Sequence, residues 1–208
     1  MISFHTNHKL LAIVPITIFA GLTCLIAIFP AIGMNLRYPP NDDGRQVSES
    51  VRRGRELYLA ENCSACHTQQ VRSDPRLTPD AKGNYPALAQ DARYGRASRP
   101  VDYANDDPPL LGSQRTGPDL ANVADRVPAI DWQLAHLYDP RMLVPDSRMQ
   151  AYPWYFKSTG DPALGERRVL LTTPVQERLG AGVEVWATKD AVAIAEYLLT
   201  LKAANREP

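Results

Sequence analysis

The sequence predicts a mainly α-helical protein: one N-terminal transmembrane helix followed by a helical domain with long loop insertions. Three observations carry this. Leu10 to Leu36 contains no charged residue. Two stretches with helical apolar spacing, Ser48 to Glu61 and Thr188 to Leu201, stand near the two ends of the remaining chain. Seven of the 18 prolines fall between Thr68 and Pro118, a long segment with little helical or strand period.

About 20 helical residues cross a hydrocarbon core of about 30 Å, so LLAIVPITIFAGLTCLIAIFPAIGMNL is long enough to span a membrane. Pro15 and Gly21 do not forbid this, because membrane helices tolerate both. A cleavable signal with Ala31-Ile32-Gly33 at its cleavage site is the competing reading. The apolar stretch exceeds the roughly 7 to 15 residues of a signal h-region, which favours an uncleaved anchor. Residues 1–36 are therefore expected to be the anchor and 37–208 the domain. Cys24, in mid-span, is read as a small apolar residue. Lys9 before the span, and Arg37 and Arg45 offset by Asp42 and Asp43 after it, leave the orientation undecided by charge.

Lys plus Arg and Asp plus Glu both number 23, so nothing argues for a nucleic-acid partner. Without the first 36 residues, which hold only Lys9, the balance is 22 to 23. The domain is near neutral, with room only for local patches.

In the first predicted helix Ser48 is the candidate N-cap, and Val51, Gly54, Leu57 and Tyr58 share a side. Gly54 costs about 1 kcal/mol of helix propensity relative to alanine, which suggests a close approach of another backbone. In the last helix Thr188 is the cap, Ile194, Tyr197, Leu198 and Leu201 form one face, and Lys202 complements the dipole. A shorter helix is expected over Ile130 to Tyr138, with Asp131 near its start and Pro140 after its end.

The first of these helices delivers the chain to Cys63-Ser64-Ala65-Cys66-His67. Two thiols three apart with an imidazole directly after the second form the c-type haem attachment pattern. Cys63 and Cys66 would add to the haem vinyl groups, and His67 would be the proximal iron ligand. The alternatives are half of a zinc site and a thioredoxin-like pair. Zinc lacks a second ligand pair, since Cys24 lies in the apolar run, and no βαβ pattern accompanies the motif.

Terminal helices crossing at a glycine and aromatic contacts resemble the class I cytochrome c fold, with Gly54, Tyr58 and Tyr197 at the crossing. In that class a Gly-Pro-Asp/Asn-Leu segment lies beside the proximal ligand, and its proline carbonyl accepts the imidazole N–H. The resemblance assigns that part to Pro118 in Gly117-Pro118-Asp119-Leu120, fixing the ring of His67. Arg115, three residues earlier, is then expected to approach the haem and pair with a propionate, of this haem or of a neighbouring subunit's. For the sixth ligand the candidates are Met142, Met149 and His136. Met142 directly follows a helix and reads as core, and His136 lies within the helix. Met149, in a loop of prolines and aromatics that can hold a thioether rigidly, is assigned.

Together these residues resemble the membrane-anchored monohaem subunit of the cbb3-type cytochrome c oxidases, the C family of haem-copper oxygen reductases. The match comprises Cys63 to Gln69, Arg93-Tyr94-Gly95, Gly112 to Leu120, His136 to Arg141, and Met149-Gln150-Ala151-Tyr152-Pro153-Trp154. It covers most of residues 1 to 154 and fades after Trp154 to a terminal helix. Arg72 to Ala92 is longer than the family pattern, Met142 stands for an acidic residue and Gln150 for a proline. The resemblance implies one covalent haem c and single-electron delivery to a catalytic subunit holding haem b and a haem b3/copper centre. It also implies a further cytochrome c subunit or donor. Haem attachment in this class occurs outside the cytoplasm, which implies a single-pass protein of the bacterial inner membrane with a periplasmic domain. A nitric oxide reductase subunit and a free-standing tethered carrier are the alternative readings.

Overall fold

A computed structural model describes residues 7–39, 47–158, 167–180 and 182–202. Helix α1 (His8–Thr23) opens on Asn7, whose side chain accepts the Leu10 N–H at 3.1 Å. Pro30 has no N–H, and its ring would press on the carbonyl four residues back. The ladder widens ahead of it: Cys24–Ile28 is a π turn in which the Phe29 N–H reaches the Cys24 carbonyl, and α2 (Phe29–Arg37) continues. The uninterrupted run His8–Arg37 is 30 residues, with a mean hydropathy of 2.5 over its most apolar 18-residue stretch, and is apolar and long enough to cross a membrane. At 1.5 Å per residue it reaches about 45 Å, more than the hydrocarbon core requires.

The globular unit holds the remaining described elements. They are α3 (Glu49–Ala60), α4 (Val123–Arg126), α5 (Ile130–Tyr138), α6 (Pro140–Leu143), β1 (Phe156–Ser158), β2 (Arg167–Arg168), α7 (Thr173–Leu179), β3 (Val185–Ala187) and α8 (Lys189–Thr200). The expected caps are in place. Ser48 Oγ accepts the Val51 N–H at 3.2 Å, and Thr188 Oγ1 accepts the Ala191 N–H at 3.4 Å.

The terminal helices α3 and α8 cross where the sequence lacks a side chain. A Cβ on Gly54 would collide with the Ala193 carbonyl and lie 2.8 Å from the Tyr197 Cβ. Tyr58 and Tyr197 meet edge to face beside the crossing, with centroids 5.5 Å apart and an interplanar angle of 62°. Leu57, Ile194, Leu198 and Leu201 complete the buried face. Helix α5 joins the same core through Leu134, Ala135 and Leu137.

The one-turn helices α4 and α6, a small sheet and α7 escaped the periodicity reading. A three-stranded antiparallel sheet, ordered β1-β3-β2, pairs Phe156 with Ala187 and Arg167 with Ala187. Its strands are two or three residues long, too short for an alternating pattern to register. Helix α7 is one short amphipathic segment behind Pro174, with Val175 buried.

The proline-rich segment from Thr68 to Pro118 is ordered around buried carboxylates. Asp91 and Asp74 are 1% and 5% exposed. Asp102 accepts from both terminal nitrogens of Arg96 at 2.7 Å and from the Arg99 N–H at 2.8 Å. Asp74 accepts from Arg76 Nε and Nη2 at 2.8 Å, which pulls its carboxyl down to about 2. Each carboxylate gathers backbone and guanidinium donors, so the turn satisfies its own polar groups without a ladder.

Gly54→Ala tests the crossing. Helix propensity alone would add about 1 kcal/mol of stability, but the collision with the Ala193 carbonyl makes the change destabilising by about 1–3 kcal/mol. Denaturant unfolding of the full chain checks the sign. An alanine variant as stable as the parent would mean that the helices do not touch there.

Candidate haem site

The site begins where α3 ends. Asn62 turns the chain through a left-handed conformation (φ 54°), and Cys63–Ala65 forms one 3-10 turn. The Cys66 and His67 N–H groups both donate to the Cys63 carbonyl, at 3.2 and 3.0 Å. Both cysteines and the histidine are thereby held on one turn, with both thiols free. Burial, ahead of the Glu61 charge, pushes the Cys63 thiol up to about 11. A thiol held protonated is the opposite of the activated thiolate that a redox pair or a zinc site uses.

A second segment is zipped onto this turn. The Ser113 N–H donates to the Ser64 carbonyl (3.1 Å), the Gly117 N–H to Cys66 (2.9 Å), the Gln69 N–H to Leu111 (3.0 Å) and the Leu120 N–H to Thr68 (2.7 Å). Glycine is required at both close approaches. At Gly112 (φ +78°) a Cβ would fall 2.7 Å from the Thr68 Cα, and at Gly117 it would lie 2.8 Å from His67 Nδ1. The result is a bond of 2.8 Å between His67 Nδ1 and the Pro118 carbonyl. A carbonyl can only accept, so Nδ1 carries the proton and Nε2 is left with its lone pair. Burial lowers the pKa of His67, keeping the ring in the neutral form that ligates iron.

The distal candidates separate on geometry. Met142 Sδ accepts the Thr172 N–H at 3.3 Å, so its sulfur already has a partner in the fold. His136 stacks on Trp132, with centroids 4.6 Å apart and an interplanar angle of 12°, and its buried Nδ1 has no partner. Burial, and secondarily the charge of His67, pushes it down to about 4. Met149 borders the same core as Cys63. Its segment runs alongside α5, since the Tyr152 N–H donates to the Leu137 carbonyl at 2.9 Å. The adjoining aromatic residues close around the attachment turn: Tyr155 Oη donates to Glu61 at 2.5 Å, and Tyr152 packs edge to face on Trp154 at 5.2 Å.

These residues fit a haem. A backbone carbonyl orients the proximal imidazole, a glycine leaves room for its ring, and a buried imidazole nitrogen on α5 is still without a partner. In this site Cys63 and Cys66 would hold the macrocycle, and His67 and Met149 would hold its iron.

Arg115 has protein partners where the sequence suggested a propionate. Its Nε donates to Thr68 Oγ1 at 2.6 Å, one Nη to Asp91, and the other to the Gln70 carbonyl and to Asp119. Four of its five donors are thus engaged. Two carboxylates that are almost wholly buried lie within its reach and demand a cation. Asp91 also binds Arg72 through three contacts at 2.9 Å. No signal short of the folded loop could have revealed Asp91, which stands 24 residues from Arg115.

Arg72, and then Arg115, hold the Asp91 carboxyl far below the usual carboxylate range. A depressed carboxyl contributes stability that is fully present above its unfolded pKa of about 3.9 and is lost as pH falls through its folded value. Asp91→Asn is therefore expected to remove stability at pH 7, by about 3 kcal/mol for a buried pair that loses one partner. It is also expected to flatten the acid limb of the stability curve below about pH 4. Urea unfolding of the two proteins between pH 3 and 7 decides, and parallel curves would count against the assignment.

A family model described as cytochrome c oxidase, mono-haem subunit/FixO, matches residues 3–203. The likeness therefore runs past Trp154, where the sequence reading ended it, through the sheet, α7 and α8. No individual curated protein matches the chain.

Proposed function

Because the chain belongs to the FixO family of cytochrome c oxidase mono-haem subunits, we propose that it is a membrane-anchored relay passing single electrons to the catalytic subunit of a cbb3-type oxidase that reduces oxygen. The observation that carries the reading is the hydrogen bond from His67 Nδ1 to Pro118 at 2.8 Å, set directly behind the Cys-x-x-Cys-His turn.

One haem c, bound covalently, supplies a one-electron iron couple. The residues of the chain do the rest. Cys63 and Cys66 tether the macrocycle, and His67 presents Nε2 because Pro118 holds Nδ1. The Met149 thioether would be the second ligand to its iron, preferred to Met142 because the Met142 sulfur already accepts from Thr172. An iron held by both His67 and Met149 would supply electron transfer and not oxygen binding, so the subunit is read as moving electrons and leaving oxygen chemistry to its partner. Tyr152, Trp154 and Tyr155 cover the attachment turn, and the neutral imidazoles of His67 and His136 keep charge out of the interior.

Residues 1–36 form the anchor and 37–208 the haem domain. Covalent attachment outside the cytoplasm places that domain on the periplasmic face of the bacterial inner membrane. There it would sit between a cytochrome c donor or subunit and the haem-copper catalytic subunit.

Purification of the native membrane complex tests the reading. The expected result is this chain, carrying one covalent haem on the Cys63–Cys66 peptide, retained with a haem-copper polypeptide that turns over oxygen. Nitric oxide turnover without oxygen turnover, or a chain recovered alone, would replace it. The axial assignment has its own test. Met149→Ala should abolish the sulfur-to-iron charge-transfer band while the haem stays attached, and Met142→Ala should keep it. The reverse pattern would move the ligand to Met142.

A further inference from the structure

Helix α5 carries one polar side chain whose bonding the fold leaves unfinished. His136 stands among Gln133, Leu134, Ala135 and Leu137, all of them buried. Gln133 is satisfied, since its Nε2 donates to the Val127 carbonyl at 3.1 Å. His136 is not: its Nδ1 is buried and has no hydrogen-bond partner among the described residues. Trp132 covers one face of the ring at 4.6 Å and lies nearly parallel to it, at 12°, so the ring is held in place and offers its nitrogens edge-on. A phenylalanine would stack there equally well and leave nothing unsatisfied. A buried imidazole nitrogen without a partner bears the full cost of its desolvation, so this histidine calls for a partner that the polypeptide does not supply.

The surroundings of the ring narrow the choice. His136 lies within electrostatic reach of His67, whose charge adds to burial in keeping the His136 ring neutral. The Tyr152 N–H donates to the Leu137 carbonyl at 2.9 Å, so the loop that carries Met149 passes the next residue of α5. His136 therefore neighbours both the proximal imidazole and the segment of the second ligand. A neutral imidazole has one N–H and one lone pair, and the proton settles on the nitrogen that faces an acceptor. A bound haem brings acceptors, namely the oxygens of its ionised propionates and the remaining lone pair of an iron-bound thioether. It brings no donor.

We infer that His136 is a further residue of the haem site, which donates its Nδ1–H to a lone pair of the loaded haem and raises its reduction potential without ligating the iron. The positive end of an N–H dipole disfavours oxidised iron, which carries one more positive charge, and so favours the reduced state. The inference rests on the haem reading proposed above and not on the identity of the electron acceptor.

Potentiometric titration of the haem-loaded full chain tests it in two variants. His136→Phe keeps the stack on Trp132 and removes the N–H, whereas His136→Asn sets an amide nitrogen where Nδ1 stands. At the wild-type midpoint, His136→Phe is expected to lower the ratio of reduced to oxidised haem about fivefold, the equilibrium weight of one ordinary hydrogen bond, with the sulfur-to-iron band retained. His136→Asn is expected to recover most of that loss. In the phenylalanine variant a displaced sulfur-to-iron band identifies the thioether as acceptor, and a displaced propionate bending band in the resonance Raman spectrum identifies a propionate. A second measurement needs no variant. In the reduced wild-type protein with isotope-labelled histidine, a slowly exchanging ring N–H with a cross-peak to Trp132 is expected beside that of His67. An unchanged potential in the phenylalanine variant, equal losses in both variants, loss of the sulfur-to-iron band, or absence of that N–H would each overturn the inference and leave haem binding standing. A wild-type chain that carries no covalent haem would overturn the haem reading as well.

Discussion

The bond between His67 Nδ1 and the Pro118 carbonyl is the constraint on which the arrangement of this domain depends. An imidazole has two nitrogens and one rotatable direction, and a carbonyl that can only accept fixes both at once. To deliver that carbonyl, residues 111–120 must lie against residues 64–70, which the chain achieves with four further backbone bonds and two glycines. Those bonds consume the polar groups of both segments, so neither needs a helix or sheet to be satisfied. The long insertion between them is then free to take any shape that brings its ends together.

That freedom is used to bury charge. Asp91 and Asp119 are both nearly inaccessible and share Arg115, which reaches across from the segment carrying Pro118. Deletion of any one member would strand the others in a low-dielectric interior, the condition in which broken ion pairs cost most. The network therefore ties the insertion to the proximal segment more firmly than its sparse apolar contacts could. Asp119 also accepts the Gln70 and Ala121 N–H groups, so one carboxylate stitches both sides of the zipper.

What could be read from residues and what could not divides along physical lines. The N-terminal apolar helix was legible as one long uncharged run, and α3, α5 and α8 because periodic burial leaves a periodic sequence; the caps of α3 and α8 are local chemistry. Gly54 was legible as an anomaly, a poor helix former in a good helix, and the collision its Cβ would make with Ala193 explains it. The attachment turn is a contiguous motif and needed no tertiary information. The sheet was not legible, since strands of two and three residues are defined by their partners and not by their own pattern. The partners of Arg115 were hidden for the same reason: a guanidinium within reach of a haem in sequence can be captured by carboxylates that only the folded loop brings near. The bond from the Thr172 N–H to the sulfur of Met142, the methionine that the sequence reading sets behind Met149, was likewise invisible in the sequence.

An electron relay works best when the ligands move little between oxidation states, and this domain is built for that end. The proximal ring is fixed by a bond that closes a zipper, and the zipper is fixed by a carboxylate network anchored on Arg72 and Arg115. The chain thus both fixes the ring and buries charge. The two tasks share one short stretch of chain, Arg115 to Asp119, which contributes at once to the orientation of His67 and the burial of charge.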